Sequence, residues 1–156
     1  MKNLNICIAG LGNVGSAVVS LIEKNSQYIK KKSNLAINII GLSAKNKDKD
    51  RNFNVKDYEW IDNPIDLLNI NDVKPDILIE LIGYEKDISY ELVKTALKQN
   101  IHVVTGNKAM LAIYGYELFE IAQENEVFLL FEAAVAGGIP IIKTLKNNIF
   151  LNKVKK

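Results

Sequence analysis

Cysteine is almost absent from this chain: Cys7 is the only one in 156 residues, so no internal disulfide can form. The N-terminus also lacks the basic segment, apolar stretch and small-residue cleavage site of a secretory signal, and a reducing cytoplasm is the expected compartment. Histidine is equally scarce. His102 has no clustered partners and stands at the head of an expected strand, which makes it a packing or strand-end residue rather than a metal ligand. No sign of charge dominates: 20 Lys and Arg face 18 Asp and Glu, a net charge of +2, which removes the electrostatic case for a nucleic-acid or membrane-surface partner. Apolar runs such as 77–82 and 127–131 fall far short of the ~20 residues of a membrane helix, so a soluble protein is expected. Three prolines and nine glycines form no linker, and there are no internal repeats. With 48% hydrophobic residues, a chain of this length can bury one core, and one compact unit is expected.

What is present is an alternation of short, β-branched apolar runs with longer segments of helical period, the pattern of βαβ units around a parallel sheet. Strands are expected near Leu4–Ala9, Ala36–Ser43, Asp76–Leu81, Ile101–Thr105 and Val127–Glu132. Nearly all lack polar alternation, so helices should cover both faces of a doubly wound, mainly parallel sheet. The first helix shows Val14, Ala17, Val18, Leu21, Ile22, Tyr28 and Ile29 at helical spacing. Two more are expected near Ile88–Gln99, presenting Leu92, Val93, Ala96 and Leu97 to the sheet, and near Tyr116–Glu124, presenting Leu118, Phe119, Ile121 and Ala122, and Pro140 is placed to open another over Ile141–Phe150. The lysine-rich stretch 44–54 reads as a mobile, solvated loop. Cys7, between Ile6 and Ile8, reads as a buried structural thiol, and Trp60 and the tyrosines as core or rim residues.

Gly10, Leu11, Gly12, Asn13, Val14 and Gly15 form a G-x-G-x-x-G motif directly after the first strand and before the most regular amphipathic helix. In that context Gly10 allows the turn, Gly12 lets a pyrophosphate approach the backbone, and Gly15 permits close helix–strand packing. The helix N-terminus adds N–H groups and a favourable dipole for phosphate. At the end of the second strand, where a carboxylate would accept from the ribose 2′-hydroxyl of NAD, the sequence reads Ser43-Ala44-Lys45, with no acid before Asp48. Lys45 and Lys47, and more distantly Lys49 and Arg51, favour the 2′-phosphate of NADP, with NAD as the alternative.

Three further segments follow in order: Glu80-Leu-Ile-Gly83, His102-Val-Val-Thr105-Gly-Asn107-Lys108-Ala-Met-Leu111, and Glu132-Ala-Ala-Val135-Ala-Gly137-Gly138-Ile139-Pro140-Ile-Ile142. With the glycine loop they resemble the N-terminal half of homoserine dehydrogenase over nearly the whole chain. That resemblance implies a Rossmann-like coenzyme domain over residues 1–134, then a hinge and the start of an incomplete substrate and dimerisation domain over 135–156. It implies reversible hydride transfer between L-homoserine and L-aspartate 4-semialdehyde in threonine and methionine synthesis, with homo-oligomeric full-length relatives. Coenzyme contacts would come from the glycine loop, Lys45, Gly83, Thr105 and Lys108. Lys108 would also lie near the substrate, where a cation can stabilise oxyanion character. Glu132, Val135, Gly137 and Ile139 would hold a sodium ion largely through backbone carbonyls; read without the family, the paired glycines are a hinge. Dehydrogenases of aspartate semialdehyde and glyceraldehyde phosphate need a cysteine nucleophile well after the glycine loop, and Cys7 precedes it. The competing expectation is a dinucleotide-binding module without chemistry, or an inactive remnant.

Overall fold

Successive buried side chains at the end of the first strand enter two different apolar clusters, because the sheet is covered on both sides. Ile6 and Ile8 belong to one apolar cluster with Leu11, Val19 and Leu42, whereas Cys7 and Ala9 belong to another with Leu78, Leu92, Leu97 and Val103. The computed structural model describes residues 2–83 and 86–135, together with 137, 139, 141, 142 and 144. Its strands are β1 (Lys2–Ala9), β2 (Leu35–Ser43), β3 (Ile77–Glu80), β4 (His102–Thr105) and β5 (Leu129–Leu130). Its helices are α1 (Asn13–Ser33), α2 (Lys86–Lys98) and α3 (Lys108–Glu124). All strand pairs are parallel, in the order β2-β1-β3-β4-β5. Through Val18, Val19 and Ile22, α1 covers one face; α2 and α3 cover the other with Leu92, Val93, Ala96, Leu97, Met110 and Leu118. The doubly wound parallel architecture expected from the sequence is therefore the one observed.

Helices α2 and α3 are joined at their surface by a polar clasp. The rings of Tyr90 and Tyr114 stack at 4.1 Å, and the Tyr90 hydroxyl donates to Glu117 at 2.8 Å. Lys94 donates to both at 2.7 and 2.9 Å, and these hydrogen bonds raise its ammonium above the ordinary lysine range. Between β2 and β3 the chain uses two 3-10 turns, Val55–Asp57 and Pro64–Leu68, in place of an α-helix. Asn54 and Asn63 cap them by accepting from Lys56 N and Ile65 N. Leu67 and Leu68 then enter the core beneath Gly41, where a Cβ would stand 2.2 Å from Ile70 Cδ1.

Four expectations change. The first helix does not bury its whole apolar stripe: Val14, Leu21 and Tyr28 are exposed, while Gly15, Val19 and Ser20 are buried. Close contact of Gly15 with Gly10 fixes the rotation of α1 and turns those larger side chains outward. Helix α3 starts at Lys108, two turns before Tyr116, because Asn107 caps it by accepting from Met110 N at 3.1 Å. Phe119, expected in the core, is partly exposed and packs edge-on against Phe131. Finally, β5 pairs only over Leu129–Leu130: Val127 N is bonded to Ala122 O, and Glu132–Ala134 turns into a 3-10 helix. Of the expected helix over 141–150, residues 143 and 145–150 lie outside the described residues, as do Pro140 and the segment 151–156.

Candidate active site

The glycine turn joins β1 to α1 at the point where strand order reverses, β2 lying on one side of β1 and β3 on the other. Gly10 has φ +95°, and a Cβ there would stand 2.3 Å from the Leu81 carbonyl carbon and oxygen. At Gly15 a Cβ would lie 1.9 Å from Gly10 O. Gly12 differs: an added Cβ meets no atom within 4 Å. The protein's own packing thus requires Gly10 and Gly15, whereas Gly12 faces open space. Gly12 is also the N-cap of α1 and offers no side-chain cap, and the first turn holds no acidic residue. The leading N–H groups of a long helix are left to meet an anion from outside.

Beyond the ends of β1, β2 and β3 lies a cleft of about 700 Å³. Gly10, Leu11 and Gly12 form one wall, Ser43 and Ala44 continue from β2, and Leu81 and Ile82 continue from β3. Lys45, Asn46, Lys49 and Arg51 line it too, with Asp62 and Pro64. Of the other sequence-predicted residues, Asn13 and Val14 are exposed at the head of α1, and Gly83 follows Ile82 with φ +88°. The walls from Leu81 and Ile82 could have been sought in the sequence as the residues after an apolar strand. Asp62 and Pro64 carried no such signal; a lateral bridge between Leu42 and Trp60 brings them in.

The stretch 44–54 is solvated, but it has a centre. Arg51 donates through Nη1 to the carbonyls of Lys47 and Lys49 at 3.1 and 2.8 Å, and through Nη2 to that of Asn46 at 2.6 Å. Its guanidinium lies 5.6 Å from the centroid of the Trp60 ring, and the Lys47 ammonium lies 5.8 Å from it. Trp60 Nε1 in turn donates to Asp62 at 2.9 Å. The basic loop is thus curled around one arginine beside an indole.

At the ends of β3 and β4 the sequence-predicted Thr105 is fully buried, and its hydroxyl donates to Glu80 at 2.5 Å. It therefore supports the loop from beneath. Lys108 is exposed at the first position of α3 and lines a second cleft of about 280 Å³ with Leu111, Phe119, Phe131 and Val135. Thr105 and Lys108 do not line the larger cleft. Burial pushes the Cys7 thiol up to about 12, which suits a core residue and not a nucleophile. His102 Nδ1 accepts from Phe128 N at 3.1 Å, a strand-end role.

Among the described residues, no group of three or more His, Cys, Asp and Glu side chains is placed to hold a metal ion. In the segment after β5, the Glu132 carbonyl accepts from Val135 N at 3.1 Å and the Ile139 carbonyl from Ile141 N at 2.8 Å. Gly137 adopts φ +60° and Ile139 is exposed. No described helix is long and apolar enough to cross a membrane.

A parallel sheet with a bare helix N-terminus at its switch point and an open cleft over three glycines defines a dinucleotide-binding domain of Rossmann type. The homoserine dehydrogenase NAD-binding domain family matches residues 10–132, and the chain belongs to that family. Homoserine dehydrogenase from Neisseria gonorrhoeae is 36% identical over 155 residues, covering 99% of this chain and 35% of that protein. The crystal structure of a homoserine dehydrogenase from Thiobacillus denitrificans has a TM-score of 0.82 at 36% identity, over 96% of this chain and 34% of that one. A hyperthermophilic archaeal homoserine dehydrogenase mutant in complex with NADPH has a TM-score of 0.73 at 30% identity, over 95% of this chain and 50% of that one. The chain spans about a third of the length of the curated bacterial relatives it matches.

Proposed function

We propose that this chain supplies the coenzyme half of a homoserine dehydrogenase, interconverting L-homoserine and L-aspartate 4-semialdehyde, and that its coenzyme is NADP. The observation that carries the reading is Gly12: it borders a large cleft at a helix N-terminus, where a Cβ would touch nothing of the protein. A diphosphate is the group that needs that approach. The bound coenzyme would accept hydride from the carbinol carbon or return it. Gly10–Gly15 would hold its diphosphate, and Leu81, Ile82 and Gly83 would border it at the end of β3.

NADP is favoured by the lysines after β2. Lys45 and Lys49 line the cleft, and Arg51 adds its charge while its fork is spent on three backbone carbonyls. Asp62, the carboxylate in the same lining, is bonded to Trp60. Lys108 is our choice for the cation that steadies oxyanion character on the substrate. It places positive charge at the positive end of the α3 dipole, an unfavourable position that an anionic group would offset. Sodium held by the carbonyls of Glu132, Val135, Gly137 and Ile139 completes the reading, with residues 1–134 as the coenzyme domain and 135–156 as the passage to a substrate domain.

Calorimetric titration with both coenzymes tests the assignment. NADP is expected to bind at least tenfold more tightly than NAD, and equal or reversed affinities would remove it. A second reading, a binding module without turnover, draws support from the position of Lys108 outside the larger cleft. Homoserine-dependent NADPH formation by this chain joined to the substrate domain of a homoserine dehydrogenase separates the two: turnover supports the enzyme, and coenzyme binding without turnover supports the module.

A further inference from the structure

A glutamate with no exposed surface lies at the end of β3. Glu80 Oε1 accepts from the backbone N–H of Ile82 and the hydroxyl of Ser89, both at 2.9 Å, and Oε2 accepts from the Thr105 hydroxyl at 2.5 Å. Its backbone carbonyl accepts from Gly106 N at 3.1 Å. The chain of bonds continues: Thr105 Oγ1 accepts from Asn107 N at 3.0 Å, and Asn107 Oδ1 accepts from Met110 N at 3.1 Å, opening α3. One side chain thus grips two loops, the one that leaves β3 and the one that leaves β4.

A residue needed only to fill the core would be apolar, since burying a carboxyl group is costly unless every acceptor finds a donor. Here two of the three donors, Ile82 N and the Thr105 hydroxyl, come from the places where the two loops begin, and the third, Ser89, comes from α2. Leu81 and Ile82, on the first loop, form a wall of the larger cleft, and Lys108 ends the second. Asn107 Nδ2, meanwhile, has no hydrogen-bond partner among the described residues, in a residue 3% exposed. The rest of the second loop is tied down by its hydrogen bonds to the strand ends. The bonds from Asn107 N to Thr105 and from Thr105 to Glu80 join it to the first loop.

We propose that Glu80 is a positioning residue: its carboxyl group locks the β3 and β4 loops to each other, so that the nicotinamide half of the coenzyme meets a preset wall. The proposal rests on the coenzyme reading above. Leu81 and Ile82 share the larger cleft with Lys45, Lys49 and Arg51, so the adenosine half borders one of the locked loops, whereas the nicotinamide half must span both on its way to Lys108.

The test compares NADPH with adenosine 2′,5′-bisphosphate, which carries the adenosine half alone, on the 156-residue chain. Thr105→Val removes the hydroxyl while keeping the β-branched shape, and Thr105→Ser keeps it. Thr105→Val and Glu80→Gln are expected to weaken NADPH at least fivefold more than they weaken the bisphosphate; Thr105→Ser should restore NADPH binding. Equal weakening of both ligands, or unchanged NADPH affinity, would overturn the proposal. Failure of the parent protein to bind either ligand would instead remove the coenzyme reading itself. Should the variants not fold, amide hydrogen exchange on the parent protein decides. NADPH, and not the bisphosphate, should slow Ile82 and Asn107 together, and independent behaviour of those two amides contradicts the lock.

Discussion

Replacing Gly12 by alanine adds one methyl group where the protein offers no neighbour within 4 Å. For the fold, the cost is that of alanine at an N-cap, about 1 kcal/mol. In a chain of this length that corresponds to a fall of about 2–4 °C in Tm. For a diphosphate the same methyl is an obstruction. A phosphate oxygen bonded to a backbone N–H sits about 2.9 Å from the nitrogen, and a methyl in its path displaces it beyond hydrogen-bonding range. Each lost bond to a charged group is worth about 1.5–3 kcal/mol, so the Kd for NADP should rise roughly ten- to a hundredfold. Gly10→Ala makes the opposite comparison: with φ +95° and a Cβ 2.3 Å from Leu81 backbone atoms, it combines strain and overpacking. It should cost about 3 kcal/mol or more. Thermal melts and calorimetry on both variants read stability and affinity separately. Gly12→Ala binding NADP within twofold of the parent protein, or unfolding as readily as Gly10→Ala, would refute the reasoning.

Other consequences follow from particular side chains. Burial raises the Cys7 thiol to about 12, so the stability this neutral thiol contributes is complete below the unfolded value near about 8.5 and is lost as pH climbs toward 12. Between pH 9 and 11 the parent protein should lose stability relative to Cys7→Ala by up to about 1.4 kcal/mol per pH unit, and parallel curves would contradict this. Arg51→Gln frees the three carbonyls that curl the basic loop and should weaken NADP at least fivefold while leaving NAD within twofold; equal losses would count against the loop as the site of choice. Lys108→Ala relieves an unfavourable charge at a helix start. Its melting temperature should hold or rise while homoserine turnover in a complete enzyme falls at least tenfold, and near-normal kinetics would remove Lys108 from the site. Leu78→Ala empties a fully buried position of the central strand and should cost about 2–5 kcal/mol in urea denaturation.

The sequence disclosed most where one physical requirement dominated. Unbroken apolar runs located the first four strands to within a residue or two, and the spacing of Gly10, Gly12 and Gly15 located the turn. It disclosed less where two tendencies compete. Helix α3 is apolar on more than one side, with Met110 and Leu118 buried but Ile113 and Tyr116 exposed, so periodicity could not date its start; the cap from Asn107 does. In α1 the stripe was real, but a glycine contact set its rotation. The shape of the 44–54 loop was hidden because the partners of Arg51 are backbone carbonyls, which every residue possesses. Glu80 was hidden for a related reason: its donors come from Ile82, Ser89 and Thr105, which meet only once the sheet is assembled. The available signal was a carboxylate closing an otherwise apolar strand.

The most direct test of a coenzyme seated on the glycine turn is to follow the backbone amide resonances of the 156-residue chain as NADPH is added. Saturable shifts should concentrate at Gly10–Gly15, with a second group at Lys45–Arg51 and a third at Leu81–Gly83. Saturation that leaves Gly12 and the head of α1 unmoved, or no response from any of the three segments, would contradict the account.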